Sequence, residues 1–193
     1  MNIRNIYILQ FKILLILAFS IVFYFTCLFV ANKLHLKKQE QLSKEILETY
    51  NSTRLHEPEK NIDNKVLGTI EIPKLNISYP IFSFLTDANL KIAPCRFYGE
   101  MPEKNSNLCI AGHNYDNDKF FSKISSLVDG DEIILKNMTH SFVYFVYDKY
   151  EVKASNLSPI TDYPPKKKIL TLVTCNNLNK NRIIIRALLK YTY

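Results

Sequence analysis

An uncharged apolar run from Ile13 to Ala31 constrains this chain more than any other feature. A helix needs about 20 such residues to cross the hydrocarbon core of a bilayer. A cleaved signal peptide is the competing interpretation, but its apolar core is usually shorter, and Ala31-Asn32-Lys33 is a poor cleavage site. We therefore predict an uncleaved, single-pass transmembrane anchor over residues 13–31, with Cys27 packed inside the run.

The rest of the chain divides into a stalk and a globular part. Residues 32–65 are charged at first, with a few apolar positions, and then polar around Pro58. This composition predicts a helical stalk that ends near Tyr50, followed by a linker. Residues 66–193 are predicted to form one globular domain, because 47% hydrophobic content is enough to build a core.

Short strand-forming runs dominate the globular part. The predicted strands are Leu67–Ile72, Ile77–Ile81, Leu108–Ala111, Glu132–Leu135, Ser141–Val152, Ile169–Thr174 and Arg182–Leu189. Short helical segments are predicted at Thr86–Lys91, with Thr86 or Asp87 as the N-cap, and at Asp118–Ser126. Many short strands with little helix predict an all-β fold, a closed or nearly closed β-barrel.

Charge and cysteine content narrow the classes of function. The formal net charge of +7 suits an anionic membrane surface, nucleic acid or an acidic polymer such as a cell wall. The sequence carries no nucleic-acid-binding signature, so no nucleic acid partner is expected. The spacings of the four cysteines match no zinc-binding pattern, and four cysteines in a chain of this length do not indicate a disulfide scaffold. We therefore expect no metal site and no cofactor.

Cys95 and Cys109 flank a predicted turn. If this segment is a hairpin, the two side chains can face each other, and a disulfide requires Cα atoms within about 7 Å. Two reduced core thiols are the default interpretation, because a buried cysteine behaves as a small hydrophobic residue.

Cys175 ends one apolar strand, and Arg182 opens the next. If these strands form a hairpin with Asn176–Asn181 as its loop, the two side chains are cross-strand neighbours about 5 Å apart. A guanidinium stays protonated, so Arg182 is suited to hold the substrate backbone or to stabilise an oxyanion. Arg186 lies on the same face about 13 Å further along and is interpreted as a surface or core-edge arginine.

Of the four histidines, only His113 ends an apolar strand beside a glycine. Its imidazole can accept the proton of the Cys175 thiol or, as imidazolium, protonate a leaving amine. The thiol and the imidazole would then titrate as a coupled pair. A nucleophile, an acid/base group and a cationic donor together predict acyl transfer through a thioester.

The segments LCIAGH, which ends at His113, and LTLVTC, which ends at Cys175, together with Arg182 resemble the sortases. These are membrane-anchored cysteine transpeptidases of Gram-positive bacteria, and the resemblance extends over about Leu67 to Leu189. It implies an eight-stranded sortase-type β-barrel. It also implies that Cys175 is the nucleophile, His113 the general acid/base and Arg182 the stabiliser of oxyanion and substrate.

The implied reaction cleaves an LPxTG-like sorting signal between Thr and Gly and transfers the acyl group to an amine. The implied partners are surface proteins that carry sorting signals, and a cell-wall precursor or pilin amine. Thr174, Ala111 and Tyr163 are candidate substrate contacts, and the loop between Asp148 and Ile169 is expected to border the groove. The sequence lacks a lid motif, a second apolar span after the barrel and a long helix between Asn137 and the last strands, which favours a class A- or D-like enzyme over class B or C.

Two lines of reasoning disagree on orientation. Lys33, Lys37 and Lys38 follow the apolar run, and the positive-inside rule alone would place the C-terminal part in the cytoplasm. The resemblance implies instead that residues 1–12 are cytoplasmic and that the catalytic domain is extracellular at the cell membrane. We follow the resemblance and expect the catalytic domain to be extracellular.

Two rival functions are compatible with parts of this pattern. A membrane-anchored cysteine protease that releases peptide to water shares the first half-reaction with a transpeptidase. A membrane-tethered barrel that binds wall polymer through its basic surface is a non-enzymatic rival, but it leaves the coincidence of cysteine, histidine and arginine unexplained.

Overall fold

The computed structural model describes residues 3–56, 65–102, 106–115, 119–164, 167–178 and 180–193. The chain separates into two compact units, Met1–Gln41 and Leu42–Tyr193. A continuous helix, α1 (Ile3–His56), begins in the first unit and ends in the second.

The first unit consists of the N-terminal part of α1. Its apolar side chains are exposed, as Phe19 at 69% and Phe23 at 70% illustrate. Among the described residues, one helix is long and apolar enough to cross a membrane, and its range is Leu9–His56. The structure thus has an exposed apolar helix where the sequence predicts the anchor.

Helix α1 continues through Asn51–His56, where the sequence predicts the beginning of a linker; residues 57–64 lie outside the described residues. Tertiary contacts hold this last part in place. Tyr50 is only 2% exposed. The Arg54 guanidinium donates to the Asn137 carbonyl oxygen at 2.6 Å and to the Ser141 hydroxyl at 2.9 Å. Packing of this kind stabilises helices beyond their intrinsic propensity.

The second unit is built around a closed β-barrel of eight strands in the order β1-β2-β3-β4-β7-β8-β6-β5. The pairs β2/β3 and β4/β7 are parallel, and the other neighbouring pairs are antiparallel. The strands are β1 (Val66–Ile72), β2 (Ile77–Phe82), β3 (Cys95–Tyr98), β4 (Asn107–Ala111), β5 (Glu132–Lys136), β6 (Ser141–Val152), β7 (Ile169–Cys175) and β8 (Arg182–Thr192). Short helices α2 (Asp87–Leu90) and α3 (Ser158–Thr161) lie in the connections, with 3₁₀ turns at Pro73–Leu75 and Ile124–Ser126.

The barrel confirms the predicted all-β class and its closure. The seven predicted strands are present, and strand β3 was missed because it has only four residues directly after Pro94. The prediction of α2 is confirmed with Thr86 as the N-cap, since its hydroxyl accepts a hydrogen bond from the Asn89 amide at 3.1 Å. The predicted helix before Ser126 is reduced to a 3₁₀ turn, because Phe120 takes a left-handed φ of 52° that interrupts a right-handed helix.

Cys95 and Cys109 are buried free thiols. Strands β3 and β4 do pair, but Cys95 lies opposite Ala111, and Cys109 lies opposite Tyr98. The register therefore keeps the two cysteines from facing each other. The default interpretation of two reduced core thiols is the one that the structure shows.

Candidate active site

Cys175 and Arg182 lie directly opposite each other at the neck of the β7–β8 hairpin. One guanidinium nitrogen of Arg182, Nη1, donates a hydrogen bond to Cys175 Sγ at 2.9 Å. The predicted hairpin geometry is confirmed. The contact places a permanent positive charge beside the sulfur, where it would stabilise a thiolate.

Strand β4 brings His113 to the same rim of the barrel. Ala111, the last residue of β4, is the register partner of Val173 in the parallel strand β7. The Gly112 amide continues this pairing with a hydrogen bond to the Val173 carbonyl oxygen at 3.1 Å. The buried hydroxyl of Thr174 donates to the Gly112 carbonyl oxygen at 2.7 Å. These bonds fix the backbone that leads into His113.

Gly112 allows a close approach between this turn and the core. A Cβ at position 112 would lie 2.6 Å from Cδ2 of Phe121, whose ring is fully buried. The Phe121 amide in turn donates to the His113 carbonyl oxygen at 3.0 Å. The AGH turn therefore needs a residue without a side chain before the histidine.

The His113 ring is half-buried and lies 4.9 Å, centroid to centroid, from the ring of Tyr115. Burial, followed by the positive charge of Lys91, lowers the pKa of His113 below its ordinary value, while Asp87 opposes this shift. At neutral pH the imidazole of the free protein is therefore mainly unprotonated and able to accept a proton.

The side-chain amide of Asn114 links the turn that contains His113 to Cys175. Asn114 Nδ2 donates to the backbone carbonyl oxygen of Cys175 at 2.7 Å. The Asn114 carbonyl oxygen accepts from Asn177 Nδ2, at 3.1 Å, in the β7–β8 loop. Asn114 was not identified as a site residue from the sequence. Its position directly after His113 was the one feature of the sequence that indicated a role in the site.

Glu151 on β6 forms hydrogen bonds with the neck of the β7–β8 hairpin. Its carboxylate accepts hydrogen bonds from the side-chain amides of Asn176 and Asn181, the second at 3.2 Å. These two asparagines directly follow Cys175 and directly precede Arg182. We call this arrangement of Glu151, Asn176 and Asn181 the Glu151 clamp. It was not predicted from the sequence, because it depends on how β6, β7 and β8 pair.

Cys175, His113 and Arg182 line one cavity of about 310 Å³. Ala111 and Thr174 are on its wall, whereas Tyr163 is not among the described residues that line it. The loop between β6 and β7 contributes to the wall, as the sequence predicted, and residues of the α2 region and β3 also line the cavity. The apolar side chains that line the cavity include Leu85, Leu90, Phe97, Val152, Leu157 and Ile160.

The cysteines of the barrel differ in accessibility. Burial raises the pKa of both Cys95 and Cys109 to about 12, and both side chains are fully enclosed. Cys175 is half-buried and opens to the cavity. The described part of the chain contains no group of three or more His, Cys, Asp or Glu side chains placed to hold a metal ion.

Comparison with known proteins agrees with the fold. A family model described as a Sortase domain matches residues 70–190. The chain belongs to the sortase family.

Three named proteins illustrate the similarity. Sortase A of Bacillus anthracis is 29% identical over 123 residues, which are 63% of this chain and 58% of that protein, so the chain spans little more than half of that relative. The structure of a Clostridium perfringens Sortase D5 transpeptidase is 28% identical with a TM-score of 0.62, over 80% of this chain and 98% of that one. A Clostridium perfringens sortase C, solved with the C-terminal cell wall sorting motif, is 24% identical with a TM-score of 0.60, over 81% of this chain and 88% of that one. This last likeness shows the fold alone, and the near-equal TM-scores do not separate the classes.

Proposed function

We propose that this protein is a cysteine transpeptidase that cleaves an LPxTG-like sorting signal between Thr and Gly and transfers the acyl group to an amine. The observation that carries the proposal is the hydrogen bond between Arg182 and Cys175 Sγ in a cavity that His113 also lines. Membership of the sortase family supports the same reaction class.

In the first half-reaction, Cys175 attacks the carbonyl carbon of the scissile peptide. The C–S bond forms, the C–N bond breaks, and the thiol proton passes to the leaving amine. An unprotonated His113 is suited to accept this proton and then to donate it. Arg182, already beside the sulfur, is placed to stabilise the negative charge that moves onto the carbonyl oxygen.

In the second half-reaction, an amine attacks the thioester. A C–N bond forms, the C–S bond breaks, and the amine proton returns through His113 to the sulfur. The acceptor is an amine of a cell-wall precursor or of another protein such as a pilin.

The lining of the cavity also supports a peptide substrate. Leu85, Leu90, Phe97, Val152 and Leu157 line the same cavity as Cys175, so it offers apolar contacts for substrate side chains. Ala111 and Thr174 are proposed as substrate contacts through their position on the wall. The Thr174 hydroxyl donates its proton to the Gly112 carbonyl oxygen, so it is not a donor to the substrate.

We further propose that α1 anchors the protein in the cell membrane as a single span, with the catalytic barrel outside the cell. The exposed apolar helix supports the anchor, and surface proteins with sorting signals are substrates that would reach an extracellular domain. A class A- or D-like enzyme is favoured, because the 28% identical structure that aligns over 98% of its own length is a Sortase D5.

Peptide cleavage in the presence and absence of an amine tests the reaction. The full chain in detergent is incubated with an LPxTG peptide, with and without triglycine, and the products are identified by mass spectrometry. We expect the peptide–triglycine adduct with the intact chain and no product with Cys175→Ala. Release of peptide to water alone would establish the cysteine protease instead, and activity in Cys175→Ala would refute both.

A further inference from the structure

The segment Leu157–Asp162 between β6 and β7 forms part of the cavity wall through Leu157, Pro159 and Ile160. Its helix, α3, has only four residues. Two backbone hydrogen bonds lie within it, Ile160 N to Leu157 O at 2.9 Å and Asp162 N to Ser158 O at 2.8 Å. A single helical turn is unstable on its own, so the shape of this wall depends on contacts from the barrel.

Asn107 on β4 supplies the first of these contacts from inside the protein. Its fully buried side chain donates from Nδ2 to the carbonyl oxygens of Pro159, at 2.8 Å, and Ile160, at 3.3 Å. Its Oδ1 accepts from the equally buried hydroxyl of Thr171 on β7 at 2.7 Å. The Thr171 hydrogen bond fixes the orientation of the amide, so that its NH₂ group faces the loop.

Arg186 on β8 supplies the second contact. It lies opposite Thr171 in the β7–β8 register. Its Nη2 donates to the Pro159 carbonyl oxygen at 3.3 Å and to the Asp162 carbonyl oxygen at 2.5 Å. The guanidinium carbon lies 5.6 Å from the ring centroid of Tyr150, within the range of a cation–π interaction.

The polar contacts of Arg186 have an energetic cost. Its Nε is buried and has no hydrogen-bond partner among the described residues. A buried donor without a partner opposes folding, and an apolar side chain would avoid this cost. The contacts of Arg186 with the loop carbonyl groups, together with its interactions with Tyr147 and Tyr150, offset this cost.

Asn107 and Arg186 both bind backbone carbonyl groups. They thereby fix the path of the main chain at Pro159, Ile160 and Asp162 whatever side chains the loop carries. A wall fixed in advance binds a peptide more tightly, because ordering the loop costs no free energy at the moment of binding.

We propose that Arg186, supported by Asn107 and Thr171, is a positioning residue that holds Leu157–Asp162 as a preformed wall of the substrate cavity. The proposal rests on the proposed function for the identity of the substrate, a peptide sorting signal. Arg186 acts on substrate binding through the loop, and it takes no part in the bond-making steps at Cys175.

The test compares Arg186→Met with Lys190→Met in the full chain in detergent. Lys190 is an exposed cation on the same strand, so the control removes the same charge from β8 without touching the loop. For Arg186→Met, we expect KM for an LPxTG peptide to rise about tenfold, as loss of a charge-assisted hydrogen bond implies, with kcat nearly unchanged. We expect the rate of Cys175 alkylation by iodoacetamide to stay at the wild-type value.

Hydrogen exchange provides a readout that does not need turnover. The amides of Ile160 and Asp162 are expected to exchange faster in Arg186→Met and to remain protected in Lys190→Met. Arg186→Lys keeps the charge and can reach a single carbonyl, so it should restore part of the protection and part of the affinity. This variant also serves if Arg186→Met does not fold.

Two results would overturn the proposal. Unchanged KM and unchanged exchange would show that Arg186 does not hold the loop, and a parallel fall in kcat and in Cys175 alkylation would show that it acts through the catalytic groups. If the wild-type chain processes no peptide, the proposed function fails, and the exchange measurement still decides whether Arg186 anchors the loop.

Discussion

Ala111 lies directly opposite Val173 in the parallel pair of strands β4 and β7. Because parallel strands run in the same direction, both chains reach the same rim of the barrel two residues later, at His113 and Cys175. The register of one strand pair therefore brings His113 and Cys175, the proposed acid/base group and nucleophile, to one cavity. Changes that disturb the turn after Ala111 should affect the histidine before they affect the cysteine.

Gly112→Ala tests this dependence. The new Cβ would lie 2.6 Å from the buried ring of Phe121, so either the ring or the His113 backbone must move. We expect a loss of about 1–3 kcal/mol in the free energy of unfolding, as overpacking of a core costs, and a large fall in peptide turnover. Urea unfolding followed by tyrosine fluorescence measures the first effect, since the chain has no tryptophan.

Gly130→Ala is the matched control for Gly112→Ala. Gly130 has a φ of +83°, and no atom lies within 4 Å of the point that a Cβ would occupy, so the variant introduces backbone strain without a clash. It should cost about 1 kcal/mol, the usual penalty of the left-handed conformation, and leave turnover unchanged. If Gly112→Ala behaves in the same way, the contact with Phe121 does not position the histidine.

Alkylation should distinguish Cys175 from the two core cysteines. Burial raises the pKa of Cys95 and Cys109 to about 12, so at pH 7.5 they carry almost no reactive thiolate. In a Cys27→Ala background, we expect iodoacetamide to modify Cys175 alone in the folded protein, and Cys95 and Cys109 as well in urea. Intact-mass and peptide mass spectrometry report the sites, and adducts on Cys95 or Cys109 without urea would contradict the buried positions.

The Glu151 clamp should control the geometry of the Cys175–Arg182 pair. Glu151→Ala removes the acceptor for both Asn176 and Asn181, and we expect kcat/KM to fall about tenfold or more, since small displacements of catalytic groups are costly. Glu151→Gln retains one acceptor oxygen and should lose less. Glu132→Ala removes a carboxylate from β5, a strand that does not pair with β7 or β8, and should leave kcat/KM unchanged.

The sequence predicted the elements with strong local signals. Alternating apolar residues and turn residues marked seven strands, and the hairpin at Asn176–Asn181 predicted the contact between Cys175 and Arg182 before the structure showed it. Strand β3 was not predicted, because four residues are too few to show the alternation of apolar and polar residues that marks a strand. The helical state of Asn51–His56 escaped because it depends on tertiary contacts such as those of Arg54 with Asn137 and Ser141.

Long-range polar contacts were outside the reach of sequence reasoning. Arg186 was interpreted as a surface or core-edge arginine, because strand periodicity gives a face and a distance but not a partner. Its hydrogen-bond partners, the carbonyl groups of Pro159 and Asp162, lie in the connection between β6 and β7, whereas Arg186 lies on β8. The same limit applies to Asn114, whose amide reaches the Cys175 carbonyl oxygen across the β4–β7 pair.

The charges around α2 should tune His113 in opposite directions. Burial is the main cause of its lowered pKa, the positive charge of Lys91 adds to it, and Asp87 opposes it. Lys91→Gln should therefore raise the pKa of His113, and Asp87→Asn should lower it further. The ring proton signals of His113, assigned with His113→Gln, measure both shifts by NMR titration of the full chain in detergent.

The pH dependence follows with a definite sign. If His113 must be unprotonated to accept the thiol proton, turnover falls as the pH drops through its pKa, so Lys91→Gln should move this acid limb to higher pH and Asp87→Asn to lower pH. The folded barrel binds the His113 proton less readily than the unfolded chain, so the free energy of unfolding should fall on acidification below the ordinary pKa of about 6.5. In His113→Gln this part of the stability loss should disappear. Shifts of the same sign in the two α2 variants would contradict the electrostatic account, because a general loosening of α2 would expose the ring and raise the pKa in both.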